Sequence, residues 1–135
     1  MTYEEIKLGD SAFITKTITK EDVEEFAKLS LDINPIHLDQ EYGKSSIFKD
    51  NIVHGMLVAS LISAVIGNDL PGHGTIYLGQ DLKFMKPVYI GDTCTATVTV
   101  IEKKDEKHII ILDTVVSAGN DENVVIKGQA VVKKP

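Results

Sequence analysis

From His54 to Gly67 the chain is apolar at nearly every position, and after Gly55 the only polar side chains are Ser60 and Ser63. A surface helix carries a polar stripe, so this pattern predicts a central helix enclosed by the rest of the protein. A membrane span needs about 20 apolar residues. This run is shorter, begins beside a histidine and ends at Gly67-Asn68-Asp69-Leu70-Pro71-Gly72. Gly55 falls at the helix start, where backbone N–H groups lack intrahelical acceptors and no Cβ obstructs a ligand. That end of the helix can hold developing negative charge.

Before the helix the pattern is mixed. Ser11 to Ile18 reads as a strand, with Ala12, Ile14 and Ile18 apolar among Lys and Thr. Thr19 then offers an N-cap, and Val23, Phe26 and Ala27 recur at helical spacing, with Glu21 and Asp22 suited to the first turn. Pro35 ends that helix, since the residue before proline is pushed out of the helical region. Asp39 through Tyr42 allows one more turn, and 44–51 is a polar loop. After Gly74 the period becomes extended. Thr75 to Met85 is one long run, and from Thr93 the residues alternate, with Cys94, Ala96, Val98 and Val100 on one face and four threonines on the other. Two further runs, His108 to Ser117 and Asn123 to Lys133, follow charged or Gly-Asn turns. Long strands joined by short turns must be antiparallel, so the expected fold is α+β, a sheet curled around one apolar helix.

Length and composition sharpen this picture. A chain of 135 residues suits a single domain spanning 1–135 that buries about two-thirds of its unfolded surface. One cysteine, Cys94, excludes an intrachain disulfide and a Cys-rich zinc site, which together with the absence of a leader-like start points to the cytoplasm. A net charge of −6, with neither arginine nor tryptophan, argues against nucleic acid as a partner. Neither does the pattern suggest a membrane.

The candidate chemistry lies in Ser30-Leu31-Asp32-Ile33-Asn34-Pro35-Ile36-His37-Leu38-Asp39. Here a carboxylate, an amide and an imidazole fall within six residues of a proline-stiffened turn. Asp32 and His37 converging on one water would form a general acid–base pair. The residues alone leave a second reading open, because Asp and Asn before Pro are ordinary turn formers. Asp32, His37 and Asp39 make a weak metal signal, with mixed ligand types around a proline. Cys94, on the apolar face of a strand, reads as a buried structural thiol. His54 either orients the helix start or packs a corner.

The stretch from Leu29 to Asp39, with Ile52-Val53-His54-Gly55-Met56 and Phe84 to Asp92, resembles the MaoC-like hot-dog family, and most of all its short-chain (R)-specific enoyl-CoA hydratases. The resemblance runs over essentially the whole chain. It implies a curved antiparallel sheet around a central helix, with Asp32 and His37 as catalytic pair and the Gly55 N–H as donor to a thioester carbonyl. It also implies Asn34 as the residue fixing the loop and Ser63 as a position near the acyl end, where its hydroxyl touches Asp32 or water; helix chemistry alone leaves open a bond back to Ala59, four residues earlier. Ile66, one turn beyond Ser63, is expected to close the pocket and favour short acyl chains. The implied substrate is an acyl-CoA thioester, with no metal and no cofactor other than the coenzyme A that the substrate carries. A homodimer or higher homo-oligomer is expected, because a curled sheet leaves strand edges uncovered. Two alternatives stand beside this reading, a hot-dog thioesterase and a non-catalytic acyl-CoA-binding or assembly module.

Overall fold

The computed structural model describes residues 1–135. In chain order it runs β1 (Ser11–Thr17), α1 (Lys20–Ser30), α2 (Pro35–Leu38), α3 (Gln40–Ser45), α4 (Gly55–Asn68), β2 (Ile76–Gln80), β3 (Lys83–Phe84), β4 (Thr93–Lys104), β5 (Ile109–Ala118) and β6 (Val124–Lys133). All strands join one antiparallel sheet in the order β1-β4-β5-β6-β2, with β3 also paired to β6. The curved sheet and its helices give the α+β hot-dog architecture.

The alternation in β4 sets the sheet's orientation. Cys94, Ala96 and Val98 are fully buried, while the threonines between them face outward. There they meet β1 hydroxyl to hydroxyl, Thr17 to Thr93 at 2.7 Å and Thr15 to Thr95 at 3.0 Å. Cross-strand pairs of this kind fix register on the polar face, as burial does on the other. One cluster of 25 buried residues joins the inner face of the sheet to α4.

Two expectations are corrected by the structure. First, α4 is not enclosed by its own chain. Val58, Ala59, Leu61, Ile62, Val65 and Ile66 are buried, but Met56, Ser60, Ser63 and Gly67 are exposed along the opposite side. A single sheet covers one side of a helix; an apolar pattern reports that a face avoids water, not which chain covers it. Second, the run Thr75 to Met85 is not one strand. A register shift between Tyr77 and Gly79 and a break at Asp81 divide it into β2 and β3. Asp81 crosses β6 at Gly128 so closely that a Cβ there would lie 1.9 Å from its carbonyl oxygen, so only glycine fits.

Candidate active site

The first catalytic segment is built by the way α1 ends. Thr19 and Asp22 form a reciprocal capping box at its start, and Leu31 closes its end in the left-handed conformation, at φ 69°. Ser30 Oγ donates to the Phe26 carbonyl at 2.7 Å and accepts the Asp32 N–H at 3.1 Å. A carboxylate oxygen of Asp32 accepts the Asn34 N–H at 3.3 Å, and Asn34 Oδ1 accepts the Ile36 N–H at 3.2 Å. With Pro35 in its first turn, α2 is thereby capped and presents His37.

His37 is held from the other side by residues 51 and 52. Asn51 Nδ2 donates to the carbonyls of Ile36 at 2.9 Å and Asp39 at 2.8 Å, and the Ile52 N–H also donates to Ile36 at 3.3 Å. The fit is close: a Cβ at Gly43 would stand 2.7 Å from the Asn51 backbone nitrogen. His37 Nδ1 lies 2.7 Å from the Ile52 carbonyl oxygen. A carbonyl only accepts, so Nδ1 carries the proton and Nε2 presents its lone pair. Burial lowers the His37 pKa from its ordinary value; the Ile52 hydrogen bond opposes this, His54 adds to it and the Asp32 carboxylate opposes it. The net direction favours the free base.

Behind His37 lies His54, 2% exposed, its ring stacked on His37 with centroids 3.9 Å apart. Its Nε2 donates to the Asp32 carbonyl at 2.9 Å. The next residue, Gly55, opens α4, and its N–H has no acceptor within the chain. A cleft of about 530 Å³ meets this point, lined by Asp32, His54 and Gly55 and by apolar residues that include Met56, Phe84 and Met85. Phe84 lies so close over Gly55 that a Cβ there would be 2.7 Å from the ring.

Residues 9–121 match the family described as the MaoC like domain. This chain belongs to the MaoC-like family. It is 48% identical to an (R)-specific enoyl-CoA hydratase of Rhodospirillum rubrum over 133 residues, which is 98% of this chain and 91% of that protein. It is 42% identical to an (R)-specific enoyl-CoA hydratase of Aeromonas caviae, with both chains covered in full. Among solved structures, the (R)-hydratase from A. caviae involved in PHA biosynthesis superimposes with a TM-score of 0.93, at 41% identity, covering 98% of this chain and 99% of that one.

The expected residues of this MaoC-like site fall into three places. Asp32 and Gly55 both line the cleft, whereas His37, with a ring nitrogen within 4.8 Å of an Asp32 carboxylate oxygen, lines a separate hollow with Val23, Ile33 and Leu38. Asn34 sits beside them as the cap of α2. Ser63 and Ile66 lie elsewhere. Ser63 is exposed on the open side of α4 and bonds neither to Asp32 nor back to Ala59; Ser60 instead donates to the Leu57 carbonyl at 2.5 Å. Ile66 is 2% exposed within the core, about 16 Å along the helix from Gly55, and is not on the cleft wall. Within one chain the wall is made by Val58, Val88 and Ile126 among others.

Sequence reasoning gave His54 only an undecided role and left Phe84 without one. A signal for His54 existed: a histidine between Val53 and Gly55 occupies a helix N-cap, where Ser, Thr, Asp or Asn is usual. As for a metal, Asp32, His37 and His54 each offer one ligand atom, all within 4.8 Å of one another. The two rings stack face to face, so their in-plane lone pairs run side by side instead of converging on one ion. Cys94 is buried in β4, and burial with the Asp92 carboxylate nearby pushes its thiol up to about 11, which suits a structural residue.

Proposed function

We propose that this MaoC-like protein is an (R)-specific enoyl-CoA hydratase, which adds water reversibly and syn to short-chain trans-2-enoyl-CoA thioesters such as crotonyl-CoA. The observation that carries this reading is a His37 ring nitrogen within 4.8 Å of an Asp32 carboxylate oxygen, with Nε2 left without a partner by the Nδ1 bond to Ile52, while Asp32 also lines an apolar cleft together with the helix-start Gly55. Water is held between the Asp32 carboxylate and His37 Nε2. As its oxygen attacks C3, the imidazole takes its proton and the C2–C3 π electrons move toward the thioester oxygen. The Gly55 N–H, at the positive end of α4, stabilises that enolate-like charge. The imidazolium then returns the proton to C2 on the same face, which gives the (R)-3-hydroxyacyl-CoA and regenerates the base. No electron is gained or lost, and the only coenzyme is the one the substrate carries.

Thioester hydrolysis by a hot-dog thioesterase is the rival chemistry, and such enzymes draw a carboxylate from the central helix. Met56 to Gly67 carries none. A silent binding module would have no use for the unpaired lone pair of His37. We further infer a homodimer at least. The exposed side of α4 and the exposed Ile76, Tyr77 and Leu78 of edge strand β2 both support it, as surfaces that a second copy would cover. No helix is long and apolar enough to cross a membrane, and the lone reduced thiol suits the cytoplasm.

The test is incubation of the purified protein with crotonyl-CoA, following loss of the conjugated thioester absorbance, with chiral analysis of the product. (R)-3-hydroxybutyryl-CoA is expected. Mainly (S) product, or free CoA released by hydrolysis, would overturn the reading. Light scattering at working concentration should give at least twice the mass of one chain.

A further inference from the structure

The loop that carries Asp32 is almost unattached. The Leu31 N–H bonds to Ala27, the Asp32 N–H to Ser30 Oγ, the Asn34 N–H to Asp32 itself, and the Asn34 carbonyl and side chain accept from His37 and Ile36. All these bonds are local. The one hydrogen bond that ties residues 31–34 to a distant part of the chain runs from His54 Nε2 to the Asp32 carbonyl, across 22 positions. His54 also stacks on His37 and meets Phe26 edge-on at 4.8 Å, and it directly precedes Gly55. One side chain therefore touches both members of the proton-transfer pair and belongs to the backbone that supplies the N–H donor.

We infer that His54 is a positioning residue, which locks the Asp32 loop to the start of α4 and so fixes the pair at a set distance from the Gly55 N–H. This deepens the hydratase reading and rests on it. Stability alone would select another side chain here. His54 is buried, and its Nδ1 is the one buried side-chain nitrogen or oxygen in the chain without a partner. An apolar ring of the same size would pack as well and leave no buried acceptor unpaired. What it could not do is donate to Asp32. The rigid imidazole places that donor at the far edge of the ring while its face supports His37, two tasks that a flexible amide or a plain aromatic ring performs only singly.

The two tasks separate by substitution. His54→Phe keeps a ring against His37 and removes the donor; His54→Gln keeps a donor at the reach of Nε2 and removes the ring. With crotonyl-CoA, His54→Phe should lower kcat about ten- to hundredfold with KM within twofold, the scale of a misplaced reacting group. His54→Gln should recover most of that loss. In an Asp32→Asn background His54→Phe should cost less than a further twofold, because its effect passes through Asp32; a merely structural role would cost the same in both backgrounds. Amide hydrogen exchange at residues 32–34, which needs no substrate, should quicken at least tenfold in His54→Phe and stay near wild type in His54→Gln. Wild-type kcat or unchanged exchange in His54→Phe, or full additivity with Asp32→Asn, would overturn the inference. Should His54→Phe fail to fold, His54→Gln decides alone: kcat within about threefold of wild type supports the tether, and a loss as deep as that of Asp32→Asn removes it. A wild type without hydratase activity but with the exchange pattern intact would count against the functional reading, not the tether.

Discussion

Two stacked pairs of rings hold this molecule, and they do different work. Tyr3 lies on His108 with centroids 4.1 Å apart and planes 6° from parallel; His37 lies on His54 at 3.9 Å and 25°. Around the first pair hydrogen-bonding capacity is taken up except at Nε2 of the partly exposed His108. The Tyr3 hydroxyl donates to Asp105 at 2.7 Å, Lys103 sits over the Tyr3 ring and donates to the carbonyls of Tyr3 and Ile6, and His108 Nδ1 meets the Lys134 carbonyl at 3.1 Å. Burial and the Asp105 carboxylate push the Tyr3 phenol up to about 12. That stack pins both chain ends to the turn between β4 and β5. At the second pair capacity is left open: His37 Nε2 and His54 Nδ1 have no partner in the chain, and a carboxylate and a cleft adjoin them. Stacking alone does not mark a functional site. Unused donors and acceptors beside a cavity do, because a folded protein that needed only stability would have paired them.

The largest expected effect breaks the second pair. Asp32→Asn and His37→Gln should each lower kcat for crotonyl-CoA about 10²–10⁴-fold with little change in KM, as expected of general acid–base groups. Because both act on one water, the double variant should be barely slower than either single one. Steady-state kinetics with circular dichroism checks this, and single variants that retain most of their kcat would reduce the loop to a turn.

A smaller loss is expected from crowding the donor. Gly55→Ala would push its Cβ into the Phe84 ring, and a shift of that kind should cost about ten- to hundredfold in kcat/KM. Phe84 is half exposed and can yield, so adding Phe84→Ala should recover part of the loss. No recovery would mean that the ring does not mediate the effect.

The pH dependence follows from His37. Its folded pKa lies below the ordinary value of about 6.5, through burial first. Hydration needs the free base, so kcat/KM should be flat through neutrality and fall about tenfold per pH unit only on the acid side of that lowered value. An acid limb centred above pH 7 would contradict the assignment. Stability carries the same sign. Between the folded and unfolded values the unfolded chain binds more protons, so the contribution of His37 is complete above about 6.5 and is lost as pH falls through the folded value.

The smallest effect sharpens the contrast from the other stack. His108→Ala should lower stability by about 1–2 kcal/mol, the scale of one stacked contact and one hydrogen bond, and leave kcat/KM within twofold. Chemical denaturation and kinetics measured together separate the two. A loss of activity there would show that the two stacks are coupled.

What the sequence by itself determined is whatever repeats locally. The alternation of β4, the capping of α1 by Thr19, the stop at Pro35 and the apolar run after Gly55 each report a periodicity or a backbone preference that neighbours in sequence dictate. The pair Asp32 and His37 was legible as chemistry, and it became compelling once the whole motif was matched to a family, because six residues around a proline serve equally well as a turn. Tertiary structure decided the rest. That His37 offers Nε2 depends on the Ile52 carbonyl 15 positions away, and that Asp32 is anchored depends on His54 at 22. The division of the run from Thr75 to Met85 depends on Gly128, across the sheet. The placement of Ser63 and Ile66 went differently from expectation because helical spacing gives the angle around α4 and the distance along it, but not where the cleft ends. These outcomes hinge on single contacts between distant residues, and a contact without a period leaves no pattern to read along the chain.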